Sequence, residues 1–233
     1  MASVPAAPRG ERGDGPGQLI SAAERLFAAR GIEGVSLREI TREAEQRNST
    51  ALQYHFGDRL GLVAAVLRKH VSVVAERRAA LLELLENRDD CTLRDCSRIL
   101  VTPLIASLHH DDAGGSGAAF LQIAAELMHG ARRSISATSP AGPLLHDHLS
   151  SMERWATLAA RFMPPESVGP PLHRRFAVIR FAHVEIGRTA RTGATADLEL
   201  FSAELVDLVA GLLTAPVDGE TKRLLDARRT GAS

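Results

Sequence analysis

Residues 35–56 write two short helices around a tight break, a pattern that few folds accommodate. The segment opens Val35-Ser36-Leu37-Arg38-Glu39-Ile40. Ser36 can accept an orphan amide of the first helical turn while Glu39 reaches back to the Ser36 amide, which makes a capping box. Val35 and Ile40 flank it where a hydrophobic staple forms, so the angle at which the chain meets this helix is set locally. After Glu45-Gln46-Arg47, Asn48 can cap a second helix over 49–56, which Gly57 ends by supplying a left-handed residue. Two capped helices joined this closely make a helix-turn-helix unit, whose second helix enters the major groove of double-stranded DNA.

The surface of the second helix fits that role. At 100° per residue Leu52 and Phe56 point toward a small core, while Thr50, Gln53 and Tyr54 point elsewhere and Ser49 sits at the amino-terminal end. Gln pairs bidentately with adenine, Thr contacts a thymine methyl, and hydroxyls reach base edges or phosphate. Arg47 and His55 flank the helix and suit phosphate oxygens. Any solvated helix also turns Ser, Thr and Gln outward. The rings of Tyr54-His55-Phe56 set this one apart, because so short a helix cannot bury them all.

These residues resemble the amino-terminal domain of the tetracycline-repressor (TetR) family of bacterial regulators. The matching stretches are Leu26-Phe27-Ala28-Ala29-Arg30-Gly31, the capping-box segment from Val35 to Ile40, and Leu52-Gln53-Tyr54-His55-Phe56-Gly57-Asp58-Arg59. The resemblance implies that Arg38 and positions 50–54 approach bases and that His55 and Arg59 hold phosphate. Two departures stand out. The family usually has Ala-Gly at the turn where this chain has Ala44-Glu45, a non-glycine residue at a position of positive φ whose carboxylate lies near DNA phosphates. The run Gln46-Arg47-Asn48-Ser49 is one residue longer than the commonest family pattern, which shifts the recognition helix against the bases.

Charge runs against a nucleic-acid binder. Lysine plus arginine and aspartate plus glutamate each number 28, whereas such domains are often basic. Affinity then has to come from placement: Arg38, Arg47 and Arg59 near the groove, helix amino termini aimed at phosphate, and two copies acting together. The chain lacks a run of eighteen apolar residues, and Met1 to Gly17 hold no apolar stretch of a signal peptide, so a soluble cytoplasmic protein is expected. Cys91 and Cys96 fall on different faces of a helix and are expected to be buried or half-buried thiols.

Beyond the reading head every pattern is helical. Residues 60–85 make one long amphipathic helix, with Leu62, Val63, Val66, Leu67, His70, Val71 and Val74 at helical spacing. Further helices are expected over 92–109, with Pro103 breaking or kinking it, and over 120–129, 144–163, 172–191 and 196–213. On the last two, Phe176, Ile179, Ala182, His183, Ile186 and Ala190, and then Leu200, Phe201, Leu205, Leu208, Val209 and Leu212, form apolar faces. Paired faces of this kind resemble the TetR-family dimer surface, and a homodimer suits a palindromic operator. The plainer reading is that both faces cover the core of a single chain.

The same pattern places Phe120, Met128, Trp155, Phe162 and Phe181 where they could wall an apolar pocket, with Glu126, Arg180 and His183 as polar anchors for a partly apolar small-molecule effector. A dry core of the same aromatics is the alternative. His109-His110 and His146-Asp147-His148 lack the spacing for a shared metal on a helix, and no nucleophile or carboxylate pair has catalytic spacing. Neither metal, cofactor nor catalytic residue is expected.

The chain therefore divides into a disordered arm (1–16), a three-helix helix-turn-helix DNA-binding domain (17–62), a larger helical-bundle ligand-binding and dimerisation domain (63–215) and a flexible tail (216–233). The whole is all-α. It reads as a DNA-binding transcriptional regulator, a homodimeric repressor released by a small ligand. The competing reading is a helical-bundle binding protein or enzyme with a vestigial helix-turn-helix, supported by the neutral charge and Glu45.

Overall fold

A computed structural model of the chain describes residues 15–46, 50–108, 115–131, 135–193 and 197–230, and among these all regular structure is helical. The head consists of α1 (Gly15–Arg30), α2 (Leu37–Glu43) and α3 (Thr50–Phe56). Their apolar stripes close on Leu19, Ala23, Phe27, Val35, Ile40 and Leu52, all buried. The capping box forms as expected: Ser36 Oγ accepts the Glu39 amide at 3.2 Å and the Ser36 amide donates to the Glu39 carboxylate at 2.8 Å. Gly57 ends α3 with φ +75°, a region open to glycine without a Cβ clash.

The long helix α4 (Arg59–Leu85) is capped by Asp58, which accepts the Gly61 amide at 2.8 Å. Its first half packs on α1 and α3 and its second half on α5 (Leu93–Ile105) and α7 (Ser151–Ala160), so one rigid element runs from the head into the body. The body is completed by α6 (Ser116–Gly130), a 3₁₀ turn (Gly142–Leu144), the short α8 (Pro165–Val168), α9 (Arg174–Thr192), α10 (Leu198–Thr214) and α11 (Gly219–Thr230). Helices α6 and α9 lie against each other along most of their length. At their crossing Gly187 is required: a Cβ there would stand 2.2 Å from Ala125 Cβ and 2.8 Å from the Leu121 carbonyl oxygen.

Three elements differ from the periodicity. The expected helix over 144–163 starts only at Ser151, because the Asp147 carboxylate takes the amides of Leu149, Ser151 and Met152 (2.9–3.1 Å) and diverts the backbone from a helical ladder. The helix containing Pro103 ends at Ile105, and His109-His110 lies outside the described residues. The polar tail is not a frayed end over 219–230: it forms α11, which buries Leu225 and pairs Lys222 with Glu166.

The apolar residues of α10 also do not share one face. Leu205 (1 % exposed), Val206, Val209 and Leu213 point inward, and α10 packs on α5, whereas Leu200, Leu208 and Leu212 are exposed. The helix is apolar nearly all round, so the two rows i, i+4, i+8 serve opposite sides. Among the described residues no single helix is long and apolar enough to cross a membrane.

Candidate nucleic-acid interface

Three polar side chains stand out from α3 over a buried base. Leu52 is buried and Phe56 half-buried, while Gln53, Tyr54 and His55 are exposed, Tyr54 to 86 %. Tyr54 meets the His55 ring edge-on at a centroid distance of 5.0 Å. Arg38 and Arg42 are exposed on α2. The turn between α2 and α3 is fixed from behind, since Gln46 Nε2 donates to Gln18 Oε1 of α1 at 2.7 Å. Glu45 adopts φ +52°, as the departure from glycine predicts, and it projects into solvent beside this turn. Thr50 begins α3, and its side chain, with Arg47, Asn48 and Ser49, falls outside what the structure describes.

Arg59 departs from the expectation that it holds phosphate. Its Nη1 turns inward and donates to the carbonyls of Ile32 and Val35, each at 2.5 Å, which clamps the loop between α1 and α2. Carbonyl oxygens in that loop have no helical partner, and Arg59, at the start of α4, is the nearest donor for them.

Several acidic side chains of the head are paired within the protein. Glu24 is buried and takes bonds from Lys69 (2.8 Å) and His70. Glu39 binds Arg30 at 2.8 Å, and Glu43 binds Arg25 at 3.1 Å. The Arg30 guanidinium, then the Ser36 amide and hydroxyl, hold the Glu39 carboxyl down at about 2. Glu24, Glu39 and Glu43 are thus spent on structure, while Arg38 and Arg42 face outward.

The body does not gather the expected effector wall into an open chamber. Phe120, Met128 and Trp155 are fully buried, Phe162 and Phe181 partly so. Trp155 Nε1–H donates to the Cys96 carbonyl at 2.9 Å, and Phe120 stacks on His70 at 4.9 Å. Of the candidate anchors, Arg180 is half-buried, Glu126 is bonded to the head, and His183 is buried with Nδ1–H donating to the Ile179 carbonyl at 2.9 Å. Cys96 is buried, and burial pushes its thiol up to about 12. Among the described residues no three His, Cys, Asp or Glu side chains cluster as metal ligands.

Burial, with the nearby Arg78 charge, lowers His183 from 6.5 to about 4 against the opposing Ile179 bond. The folded chain holds it neutral, whereas the unfolded chain protonates it below 6.5. Its contribution is therefore complete above pH 6.5 and is lost as pH falls from 6.5 toward 4, by roughly 3 kcal/mol at most. Urea midpoints of the wild type should drop over this window, and those of His183→Gln should drop less. Parallel pH profiles would rule out His183 as the cause.

An exposed polar and aromatic helix on a capped two-helix support, carried by a long helix into a helical body, defines a helix-turn-helix DNA-binding protein. Residues 19–66 match the family model for bacterial regulatory proteins of the tetR family, and a domain of this kind supports a DNA-binding transcriptional regulator. No curated protein matches the sequence. Among solved structures the chain is similar to a protein from Shewanella sp. PV-4 assigned to the tetR family of transcription regulators. That match has TM-score 0.50 and 16 % identity, over 86 % of this chain and 96 % of the other. It is also similar to HlyIIR, a hemolysin II transcriptional regulator, with TM-score 0.48 and 17 % identity over 88 % and 100 %. At 16 % identity the likeness to the Shewanella protein is one of fold alone.

Proposed function

We propose that the chain is a homodimeric, cytoplasmic repressor that binds a palindromic operator and leaves it when a small molecule enters the body. The observation that carries this is the pairing of an outward-facing α3 with three exposed leucines, Leu200, Leu208 and Leu212, on one side of α10. A second copy would cover those leucines and set two reading heads at a fixed spacing, so that each contributes to one site. Arg47, Asn48, Ser49 and Thr50 complete the DNA contacts of Arg38, Gln53, Tyr54 and His55 in this reading. The effector would part the packed aromatics around Trp155. Arg78 Nε, buried without a hydrogen-bond partner, gives it a polar group to engage. Binding and release, rather than bond chemistry, are then the whole activity.

Leu208→Glu separates the dimer from the core. At 47 % exposure Leu208 can accept a carboxylate in the monomer, but not inside an apolar interface. The variant is expected to sediment as a monomer with unchanged helical content and to shift palindromic DNA from its own upstream region only weakly. Leu205→Glu should instead unfold the body. If Leu208→Glu stays dimeric, the interface lies elsewhere. Effector binding is read on the same complex, as saturable change in Trp155 emission over the concentrations that release DNA.

A further inference from the structure

Helix α6 holds the reading head at two points. Phe120, one turn into the helix, stacks on His70, which with Lys69 grips Glu24 of α1. Further along, Glu126 reaches the loop that follows α1, where the Ile32 amide donates to both of its carboxylate oxygens, at 3.1 and 3.3 Å. The same residue is held from its other side, because Arg59 takes the Ile32 carbonyl. Gly31 precedes Ile32 at φ +79°, a left-handed conformation suited to glycine, and a Cβ added there would meet the Glu126 carboxylate at an ordinary contact distance of 3.6 Å. The loop is thus gripped by a carboxylate from α6 and a guanidinium from α4.

Helices α1 and α6 pack directly, and the Glu126 joint lies where clefts open on either side. Clefts of about 640 Å³ and 390 Å³ adjoin Glu126, one bordered by His129, Gly187 and Arg191, the other by Leu60, Leu127 and Ile135. The head core (Leu19, Phe27, Ile40, Leu52) and the apolar face of α6 (Phe120, Ile123, Met128) belong to one continuous buried cluster, and half-buried Glu126 lies on α6 beside it. Its bond to Ile32 therefore adds a directional tie to that apolar packing, and a charged acceptor makes it stronger than a neutral one.

We propose that Glu126 is a positioning residue for DNA binding: its carboxylate latches the Ile32 amide, fixes the head against α6, and delivers any displacement of α6 to the head. The DNA consequence rests on the two-headed regulator proposed above, whereas the latch itself does not. With the latch open each head still reads its half-site, but the two heads lose their fixed spacing.

The test uses the full-length protein and a duplex selected by the wild type from a random pool, beside a duplex carrying only half of that site. Glu126→Ala should weaken full-site binding about tenfold or more, the scale of one charged hydrogen bond, and leave half-site binding within about twofold. Hydrogen exchange at the Ile32 amide should accelerate by a similar factor, and Glu126→Gln, which retains an acceptor oxygen, should restore both. Unchanged exchange at Ile32 overturns the latch, as does full-site affinity equal to wild type. Equal losses on both duplexes with a lowered melting temperature would make Glu126 merely structural. If the wild type itself binds both duplexes alike, the two-headed reading fails and the exchange rate alone decides the latch.

Discussion

Tyr54→Ala is expected to abolish specific DNA binding while the protein remains folded. The ring is 86 % exposed and its described ring contact is with exposed His55, so its removal leaves no cavity. A good base contact is worth about 1–3 kcal/mol, and two heads double it to roughly 2–6 kcal/mol on a full operator. Arg38→Ala should fall in the same range, since it stands exposed on the neighbouring helix. The measurement is a titration of labelled operator at fixed salt, because phosphate contacts make affinity salt-dependent. Wild-type affinity for Tyr54→Ala would mean that the recognition helix sits one position away from the register assigned to it, with Gln53 or His55 at the bases.

What was legible in the sequence was local. The Ser36–Glu39 box, the Gly57 stop and the strained Glu45 are decided by residues within a turn of each other, and the structure contains all three. The inward set of α3 follows from helical spacing alone. What could not be read is which distant group each polar residue meets. Glu126 looks like a polar anchor on an apolar helix until Ile32, 94 residues away, is placed against it. Arg59 matches a phosphate contact by motif, and only the folded loop shows the two carbonyls that take it. Leu205 and Leu208 are chemically identical and three residues apart; which of them faces α5 is set by the rotation of α10. The neutral net charge misled for the same reason, since pairs such as Glu43 with Arg25 span eighteen residues. Gly187 gave no signal at all, because its need arises from Ala125 on another helix.

Asp147 illustrates the cost of such distant pairing, and Asp147→Ala is expected to be the most destabilising polar substitution in the body. Its buried carboxylate accepts the Leu149, Ser151 and Met152 amides and the Ser151 hydroxyl (2.8 Å), and it faces Arg78 Nη1 at 4.0 Å. Burial pushes this carboxyl up, yet the bonds from Ser151, Met152 and Leu149 outweigh it and hold it below its ordinary value. Arg78 is itself buried, and burial lowers it to about 10 against the attraction of Asp147. Removing the carboxylate leaves that guanidinium donating to Ser151 Oγ at 3.0 Å without its charge partner, and strips the start of α7 of its acceptor. Breaking a buried pair from one side costs about 3–5 kcal/mol, and urea unfolding should show that loss with an unchanged slope. Removing both charges should be milder: Arg78→Met in the Asp147→Ala background is expected to recover part of the loss, since no charge is then buried alone. Additive losses in that cycle would mean that Arg78 and Asp147 act separately, and that Asp147 serves only as the cap of α7. A recovery would identify the pair as the joint that fixes the far end of α4, the helix on which the reading head is carried.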